Sequence, residues 1–311
     1  MVPRRHIPVI LLTLLAAAGI FLLDLLMGDS GFGMAEGVIL EKIRLPRVAM
    51  ATLVGAALGL GGAQMQAVFR NPLADPHIMG ISSGAGLGAA VAVLALPGLR
   101  LGLPVGAVLG ALLTTLLVVA AVGKTRSTAT LLLLGIMMGF ILSAVSATLQ
   151  YTADEESLKR YYSWAAGSFV GNGPFEAVTL AVCLGLGAVL ARLNARGLDL
   201  LLFGDDFAAA AGGRVRRIRL LSLLGVCLMT GTATAFCGPI GFAGIAAPHV
   251  ARWIGGAASA RVVLPLSALC GAGMALLADF LSFSGPVPIP VGSTMALVGI
   301  PVILYILLKK R

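Results

Sequence analysis

Long apolar runs recur along the chain, and they restrict its possible folds more than any other feature. A run of about 20 predominantly apolar residues is long enough to cross a bilayer as an α-helix. Hydrophobic residues make up 59% of the 311 residues and charged residues 11%, against roughly 25% charged in a soluble domain. This composition excludes a soluble globular protein. The weak period-two alternation typical of an outer-membrane barrel is absent from the sequence.

The runs predict an all-α, polytopic transmembrane protein with about ten spans, organised as one transmembrane domain over residues 1–311. The eighth span is the weakest, because it is short and two prolines interrupt it. The first run follows two arginines, as in a signal peptide, but it is long and lacks a clear cleavage site, so we interpret it as a retained helix. The predicted spans are 7–27, 48–68, 79–96, 104–122, 129–150, 174–192, 220–237, 240–255, 262–281 and 291–308.

The distribution of basic residues predicts the orientation. An even number of spans places both termini on one side, and 16 of the 22 Lys and Arg residues fall on that side. The positive-inside rule therefore predicts that both termini are cytoplasmic. We attribute the net charge of +9 to this topology and not to nucleic-acid binding. The six basic residues predicted to lie outside are Lys42, Arg44, Arg47, Arg100, Lys159 and Arg160.

Two hydrophilic stretches separate predicted spans. Residues 152–173 lie outside and predict a short interfacial helix with Tyr161, Tyr162 and Trp164 at the level of the lipid headgroups. Residues 193–219 lie inside and form the longest polar connection in the chain.

The stretch from residue 44 to residue 88 contains two Gly-rich apolar runs separated by a polar turn. Gly55 and Gly59 have small-xxx-small spacing, as do Gly84 and Gly88. Such spacing lets the backbones of neighbouring transmembrane helices approach closely. Both runs are therefore predicted to pack against other helices.

The same stretch carries a family resemblance. The residues RLPR, followed by GxxMQxxxRNPLADPxxxGISSGAGxG, resemble the signature of the iron-chelate, haem and vitamin B12 uptake permeases, the FecCD type of ABC importer. Residues 238–252 match that family's GxIxFxGLxxPHxxR pattern with Ile245 in place of Leu. The resemblance covers nearly the whole chain from residue 44. It marks a signature turn and a signature helix, represented here by Arg70, Asn71, Pro72 and Asp75, and by Gly241, Phe242, Gly244, Pro248, His249 and Arg252.

The resemblance implies the type II ABC importer permease architecture and a function in transport. The chain would be a multi-pass permease subunit of a bacterial or archaeal cell (inner) membrane, surrounded by membrane lipid and without a cofactor. It would carry a metal chelate, namely a ferric siderophore, haem or cobalamin. Its implied partners are a second copy of itself, two cytoplasmic ATPase subunits and a periplasmic or lipid-anchored substrate-binding protein, and no nucleic acid.

The cytoplasmic segment 202–213 is the candidate for coupling to the ATPase. Gly204 can break one element, the next two aspartates can cap a helix, and paired glycines can end it. These residues alone favour a plain connecting helix. The resemblance implies instead a segment of two short helices that docks into a cleft of the ATPase. The coupling residues it indicates are Gly204, Asp205, Asp206, Ala208, Ala209 and Gly212.

Arg44 and Arg47 oppose the positive-inside trend. From the residues alone, anchoring to lipid phosphate and a functional role are about equally supported. The resemblance implies docking of the substrate-binding protein through glutamates on its two lobes. A further arginine that the family often carries after the ninth helix is missing from residues 278–283, so docking is expected to use Arg44 and Arg47 with help from Lys159 or Arg160.

Other chemistry is not supported by the sequence. Gly123-Lys124-Thr125 resembles the end of a phosphate-binding loop, but Val118 stands where the first glycine is required. We therefore expect no enzymatic activity and no ATP hydrolysis by the chain alone. His77 and His249 are interpreted as structural residues, and the four cysteines as small core residues.

Asp279 lies inside an apolar run, where a carboxylate is costly unless it is paired or functional. We expect a structural partner for it, such as a hydroxyl or a backbone amide. The alternative function is an ion-coupled secondary transporter, which would need inverted repeats and matched charged or broken helices. A membrane-embedded enzyme would need clustered His, Asp or Glu within the spans. The sequence shows neither pattern.

Overall fold

A computed structural model describes residues 6–28, 31–33, 37–95, 102–124, 127–285 and 287–309 of the chain. The basic residues at 4, 5, 100, 126, 310 and 311, which contributed to the predicted orientation, lie outside these ranges. A two-residue antiparallel ladder joins Met27–Gly28 (β1) to Gly31–Phe32 (β2). The helices are α1 Ile7–Leu25, α2 Gly37–Phe69, α3 Ile81–Ala95, α4 Leu103–Lys124, α5 Thr128–Tyr151, α6 Glu155–Ala165, α7 Pro174–Leu201, α8 Asp205–Ala210, α9 Val215–Cys237, α10 Ala243–Gly255, α11 Ala260–Ser282 and α12 Val291–Lys309.

Each of the ten predicted spans corresponds to one of these helices. Within the described ranges, seven helices are long and apolar enough to cross a membrane: α1, α2, α4, α5, α7, α9 and α11. Two others, α3 and α12, contain shorter apolar segments, and α10 has only 13 residues. The all-α, polytopic fold predicted from the sequence is confirmed.

The extent of the inner polar connection was predicted wrongly. Helix α7 continues to Leu201, nine residues past the predicted end, so only residues 202–214 separate it from α9. The extension is held by tertiary contacts, because the Asn194 side-chain amide donates to the Ile218 carbonyl at 2.7 Å and to the Ser222 hydroxyl at 2.8 Å. A partner for Asn194 on another helix is not visible in the local sequence.

Helix α2 also begins earlier than predicted and has an irregular first part. Pro46 has no N–H to donate to the carbonyl four residues before it, and the backbone widens into a π-helical segment over Leu40–Arg44. The Leu45 N–H accordingly donates to the Leu40 carbonyl, five residues back. Arg44 is the last residue of this segment, and Arg47 follows in the regular part of the helix.

The centre of the protein is formed by α2, α9 and α11. Buried residues make up 78%, 67% and 78% of their apolar windows, against 6% for α1 and 17% for α5 and α7. The latter three helices therefore occupy the periphery, with apolar faces suited to lipid or to another membrane-embedded surface.

Small residues allow the central helices to approach each other. A Cβ atom added at Gly55 would lie 2.3 Å from the Gly271 carbonyl oxygen, and one at Gly59 would lie 2.1 Å from the Ser267 carbonyl oxygen. Between α3 and α4, a Cβ at Gly88 would lie 2.0 Å from the Gly106 carbonyl oxygen. Close helix packing at the predicted small-residue positions is thus confirmed.

The predicted outer interfacial helix is α6. The Asp154 carboxylate caps it by accepting the Ser157 N–H at 2.9 Å, and this hydrogen bond lowers the pKa of Asp154. The aromatic residues differ from expectation, because Tyr161 is buried and the Trp164 indole donates to the Ala235 carbonyl at 3.2 Å. Only Tyr162, which is 57% exposed, is placed as an interfacial side chain would be.

Candidate functional site

The two arginines of the RLPR motif are buried. Arg44 is 4% exposed and Arg47 is 2% exposed. The Arg44 guanidinium donates to the Leu25 carbonyl at 3.2 Å and to the Gly33 carbonyl at 2.8 Å. Arg44 thus contacts the end of α1 and the segment after it, and docking of a binding protein through this residue stays a prediction.

Arg47 joins three helices through buried charges. Its Nε lies 2.9 Å from Asp279 Oδ2 on α11, and its Nη2 lies 3.4 Å from Asp24 Oδ1 on α1. The Phe283 ring covers the guanidinium, with 4.1 Å between the ring centroid and Cζ. The partner of Asp279 is thus an arginine, and not the hydroxyl or backbone amide that we expected. The carboxylates of Asp24 and Asp279 are both fully buried.

A cavity of about 670 Å³ adjoins this cluster. Arg44, Arg47 and Asp279 contribute to its wall, together with Phe169 and the segment 288–291. The ion pairs of Arg47 with Asp24 and Asp279 therefore lie beside a cavity at the end of the molecule that is predicted to face outside.

The signature turn follows α2 and is built from side-chain hydrogen bonds. Arg70 ends the helix in the left-handed conformation, with φ of 49°. The Asn71 side-chain oxygen accepts the Leu73 N–H at 3.0 Å, and the Asp75 carboxylate accepts the His77 N–H at 2.8 Å. These contacts begin the 3-10 turn Pro76–Met79, which leads into α3.

The signature helix, α10, packs directly on this turn. His249 Nε2 lies 2.9 Å from the Pro72 carbonyl oxygen, and His77 Nε2 lies 2.8 Å from the Ile240 carbonyl oxygen. Both histidines therefore connect backbone segments, in agreement with a structural role. Gly244 is required for the fit, because an added Cβ would lie 2.4 Å from Pro76 Cδ.

The break in the signature segment lies before the helix. Glycines and the prolines Pro239 and Pro248 were expected to break this span, but α10 continues through Pro248 to Gly255. The chain turns instead at Gly238, with φ of 75°, and at Phe242, with φ of 68°. A non-glycine residue at positive φ costs roughly 1–2 kcal/mol, so tertiary contacts must hold Phe242 there. Gly241, between these two residues, keeps a negative φ.

A series of side-chain hydrogen bonds connects α10 to α2. The Arg252 guanidinium donates to Gln66 Oε1 at 2.5 Å and to the Pro248 carbonyl at 3.1 Å. The Gln66 amide in turn donates to the Ile245 carbonyl at 3.2 Å. The structure thus brings the signature turn and the signature helix together into one junction.

The coupling segment contains one short helix, α8, where the resemblance implied two. Gly204 precedes it with φ of 110°, and Gly212 follows it with φ of 80°. Asp205 was expected to cap the helix but does not, because its carboxylate accepts a hydrogen bond from Arg219 at 2.6 Å. Arg219 also donates to the Thr128 hydroxyl, which ties the segment to α5.

One face of α8 is inward and the other is exposed. Ala208 is fully buried, whereas Asp206 and Ala209 are exposed. Phe203 and Phe207, which are 73% and 51% exposed, pack on each other with 5.2 Å between ring centroids. This aromatic pair was not predicted from the sequence, because Phe203 lies in the turn before α8 and the bend at Gly204 brings its ring to Phe207.

The signature turn also lies close to the coupling segment. A Cβ atom added at Gly204 would lie 3.3 Å from the Arg70 guanidinium. Residues that are distant in sequence, including the turn, α8 and α10, therefore gather at one end of the molecule.

Comparisons with known proteins agree with this arrangement. Residues 8–309 match the FecCD transport family. The chain is 39% identical over 282 residues to the hemin transport system permease protein of Yersinia pestis, covering 87% of this chain and 83% of that protein. It is 38% identical over 290 residues to the ferric enterobactin transport system permease protein of Escherichia coli (strain K12), covering 92% of this chain and 87% of that protein.

A solved structure shows the same fold. The chain superposes on a metal-chelate type ABC transporter in an inward-facing conformation with a TM-score of 0.88 and 30% sequence identity. The match covers 97% of this chain and 99% of that chain. The chain belongs to the FecCD transport family and is an ABC importer permease of the metal-chelate type.

Proposed function

We propose that the chain is the permease subunit through which a ferric siderophore, haem or cobalamin passes from a substrate-binding protein into the cytoplasm. Two ATPase subunits on the cytoplasmic side drive the movement, and a second copy of the chain completes the pathway. Both termini are cytoplasmic in a bacterial or archaeal inner membrane. Relatives named for hemin and for ferric enterobactin support a metal-chelate cargo.

The observation that carries this proposal is an exposed aromatic pair at the start of α8. Phe203 lies in the turn before the helix and Phe207 within it, and their rings meet at the surface with 5.2 Å between centroids and an angle of 47°. Exposed aromatic residues next to a short, anchored helix are typical of a protein-contact site. The ion pair between Asp205 and buried Arg219 transmits force from α8 to the start of α9.

The exposed face of α5 is the surface that we assign to the translocation pathway and to contact with the second copy. This helix is peripheral, yet its exposed surface carries polar side chains that hydrogen-bond to neighbours. The exposed Ser143, for example, donates to Ser83 at 3.2 Å. Such groups are costly against lipid tails and are suited to a cavity containing water and cargo. Weak, distributed contacts also let cargo leave.

Arg44 and Arg47 have a different role in this proposal from the one first expected. They shape the outer cavity wall, and the exposed basic residues Lys159 and Arg160 of α6 provide the direct contact with the binding protein. Arg160 pairs with the exposed Glu156 at 3.7 Å. Such a pair is weak and can be exchanged for a carboxylate on another protein.

Uptake by the complete transporter tests the function. Cells expressing the chain with its genetically linked ATPase and binding protein are given radiolabelled ferric siderophores, haem and cobalamin in separate assays. We expect uptake of one of these, and its loss when the ATPase is inactivated. Uptake that survives ATPase inactivation but disappears with a protonophore would support the ion-coupled alternative instead.

A further inference from the structure

A groove of about 700 Å³ lies between the last turns of α7 and the first turns of α9. Its lining combines basic and apolar side chains, and it includes residues 211–213 at the end of the coupling segment. The residues that define its chemistry are Arg196, Arg214, Arg217, Leu190, Leu193 and Leu221.

The floor of the groove is rigid. A Cβ atom added at Gly197 would lie 2.7 Å from Ile218 Cγ1, so the two helices are in close contact there. Asn194, which is 6% exposed, bridges the same pair of helices through the Ile218 carbonyl and the Ser222 hydroxyl. The groove is therefore formed before any ligand arrives.

The three arginines are exposed and form no salt bridge with a described residue. The neighbouring carboxylates have other partners. Asp205 pairs with Arg219, and Asp199 accepts from the Ser259 hydroxyl at 3.1 Å and the Ala260 N–H at 2.6 Å. The guanidinium groups are thus available to an external anion.

The order of side chains along the helices separates charge from apolar surface. On α7, Leu190 and Leu193 precede Arg196, and on α9, Arg217 precedes Leu221. Because the two helices run in opposite directions here, both place their arginines toward the helix ends and their leucines toward the middle of the span. Leu193 is 75% exposed within this surface.

We propose that this groove binds an anionic phospholipid, with its phosphate between the three arginines and its acyl chains along the leucines. Arginine is well suited to phosphate, because its planar donors bind two oxygens at once. Basic pockets between transmembrane helices bind anionic headgroups, and the leucines provide the apolar contact that a free phosphate would not use. An acidic protein surface would leave Leu193 and Leu221 without a membrane-embedded partner.

Lipid retention by the full chain tests the proposal. The detergent-purified protein is incubated with phosphatidylglycerol or phosphatidylcholine, and retained lipid is counted by native mass spectrometry alongside thermal unfolding. We expect several-fold more phosphatidylglycerol than phosphatidylcholine to be retained, with a higher unfolding temperature. The double variant Arg196→Gln/Arg217→Gln should lose most of this preference.

The matched control is Arg192→Gln/Arg216→Gln, which removes two exposed charges from the same helices outside the groove. It should keep the lipid preference. Equal losses in both double variants would show a diffuse charge effect and overturn the proposal, as would equal stabilisation by inorganic phosphate.

A second measurement separates lipid from protein as the occupant. The same variants are co-purified with the ATPase subunit. If Arg196→Gln/Arg217→Gln reduces ATPase recovery while phosphatidylglycerol retention stays unchanged, the groove is a protein contact and the proposal fails. Should that double variant not yield monodisperse protein, the single variant Arg214→Gln is compared with Arg216→Gln in the same assays, with the same expected contrast.

Discussion

Arg47 Nε lies 2.9 Å from Asp279 Oδ2, in a place where neither side chain is more than 2% exposed. The pair connects α2 to α11, and Asp24 on α1 adds a second carboxylate to the same guanidinium. One guanidinium therefore faces two buried carboxyl groups. Removing one partner from a buried ion pair leaves an uncompensated charge, which is strongly destabilising.

The first prediction concerns this imbalance. Arg47→Gln leaves two buried carboxyl groups without their guanidinium and should destabilise the protein by about 3–5 kcal/mol. Asp279→Asn should cost less, because Arg47 and Asp24 still balance each other. Thermal unfolding of the purified variants in one detergent shows which substitution lowers the stability more. Arg160→Gln, which removes an exposed pair, should change little, and an equal cost for Arg47→Gln and Asp279→Asn would argue against the charge-balance account.

The second prediction concerns docking of the substrate-binding protein. Lys159→Glu/Arg160→Glu should weaken binding at least several-fold, because it reverses two exposed charges on α6 without touching the core. Affinity for the cognate binding protein is measured with the permease in nanodiscs. By contrast, reversing Arg44 and Arg47 should reduce the amount of folded protein, because both are buried. Unchanged affinity of the Lys159/Arg160 variant would remove α6 from the docking surface.

The third prediction concerns coupling through α8. Ala209→Glu should abolish ATPase co-purification and transport, because it buries an unpaired charge in the proposed contact. The exposed position of Ala209 means that membrane insertion and folding should persist. Ala258→Glu, at another exposed alanine between α10 and α11, is the matched control. Normal transport by Ala209→Glu would show that α8 is only a connector and would move attention to the turn at residues 70–76.

The fourth prediction concerns helix packing. Gly59→Ala should destabilise the protein by about 1–3 kcal/mol, because the new methyl group would lie 2.1 Å from the Ser267 carbonyl oxygen. Gly273→Ala, on the facing helix, should be tolerated, since the nearest atom lies 3.8 Å from the added Cβ. Unfolding temperatures of the two variants give the comparison, and similar values would contradict close backbone packing at Gly59.

The fifth prediction concerns ATP. The purified chain alone should not hydrolyse ATP, because Val118 replaces the glycine that a phosphate-binding loop needs, and it is buried within helix α4. Phosphate release is measured in a preparation shown by mass spectrometry to lack the ATPase subunit. Hydrolysis in that preparation would disprove the expectation.

Much of the fold follows from local sequence. The apolar runs predicted a helix at each of the ten spans, and the Gly55/Gly59 and Gly84/Gly88 pairs predicted close packing. These features are local, because bilayer thickness sets span length and the absence of a Cβ atom permits close approach regardless of the partner.

Tertiary structure decided what the polar residues do. The sequence showed that Arg47 and Asp279 are unusual in their surroundings, but they are 232 positions apart and nothing local pairs them. The same holds for His249 and the Pro72 carbonyl, 177 positions apart. A buried polar group is costly without a partner, and the packing of the helices determines which partner lies within hydrogen-bonding distance. For that reason local sequence predicted the membrane helices, whereas the inward direction of the two arginines depended on the assembled fold.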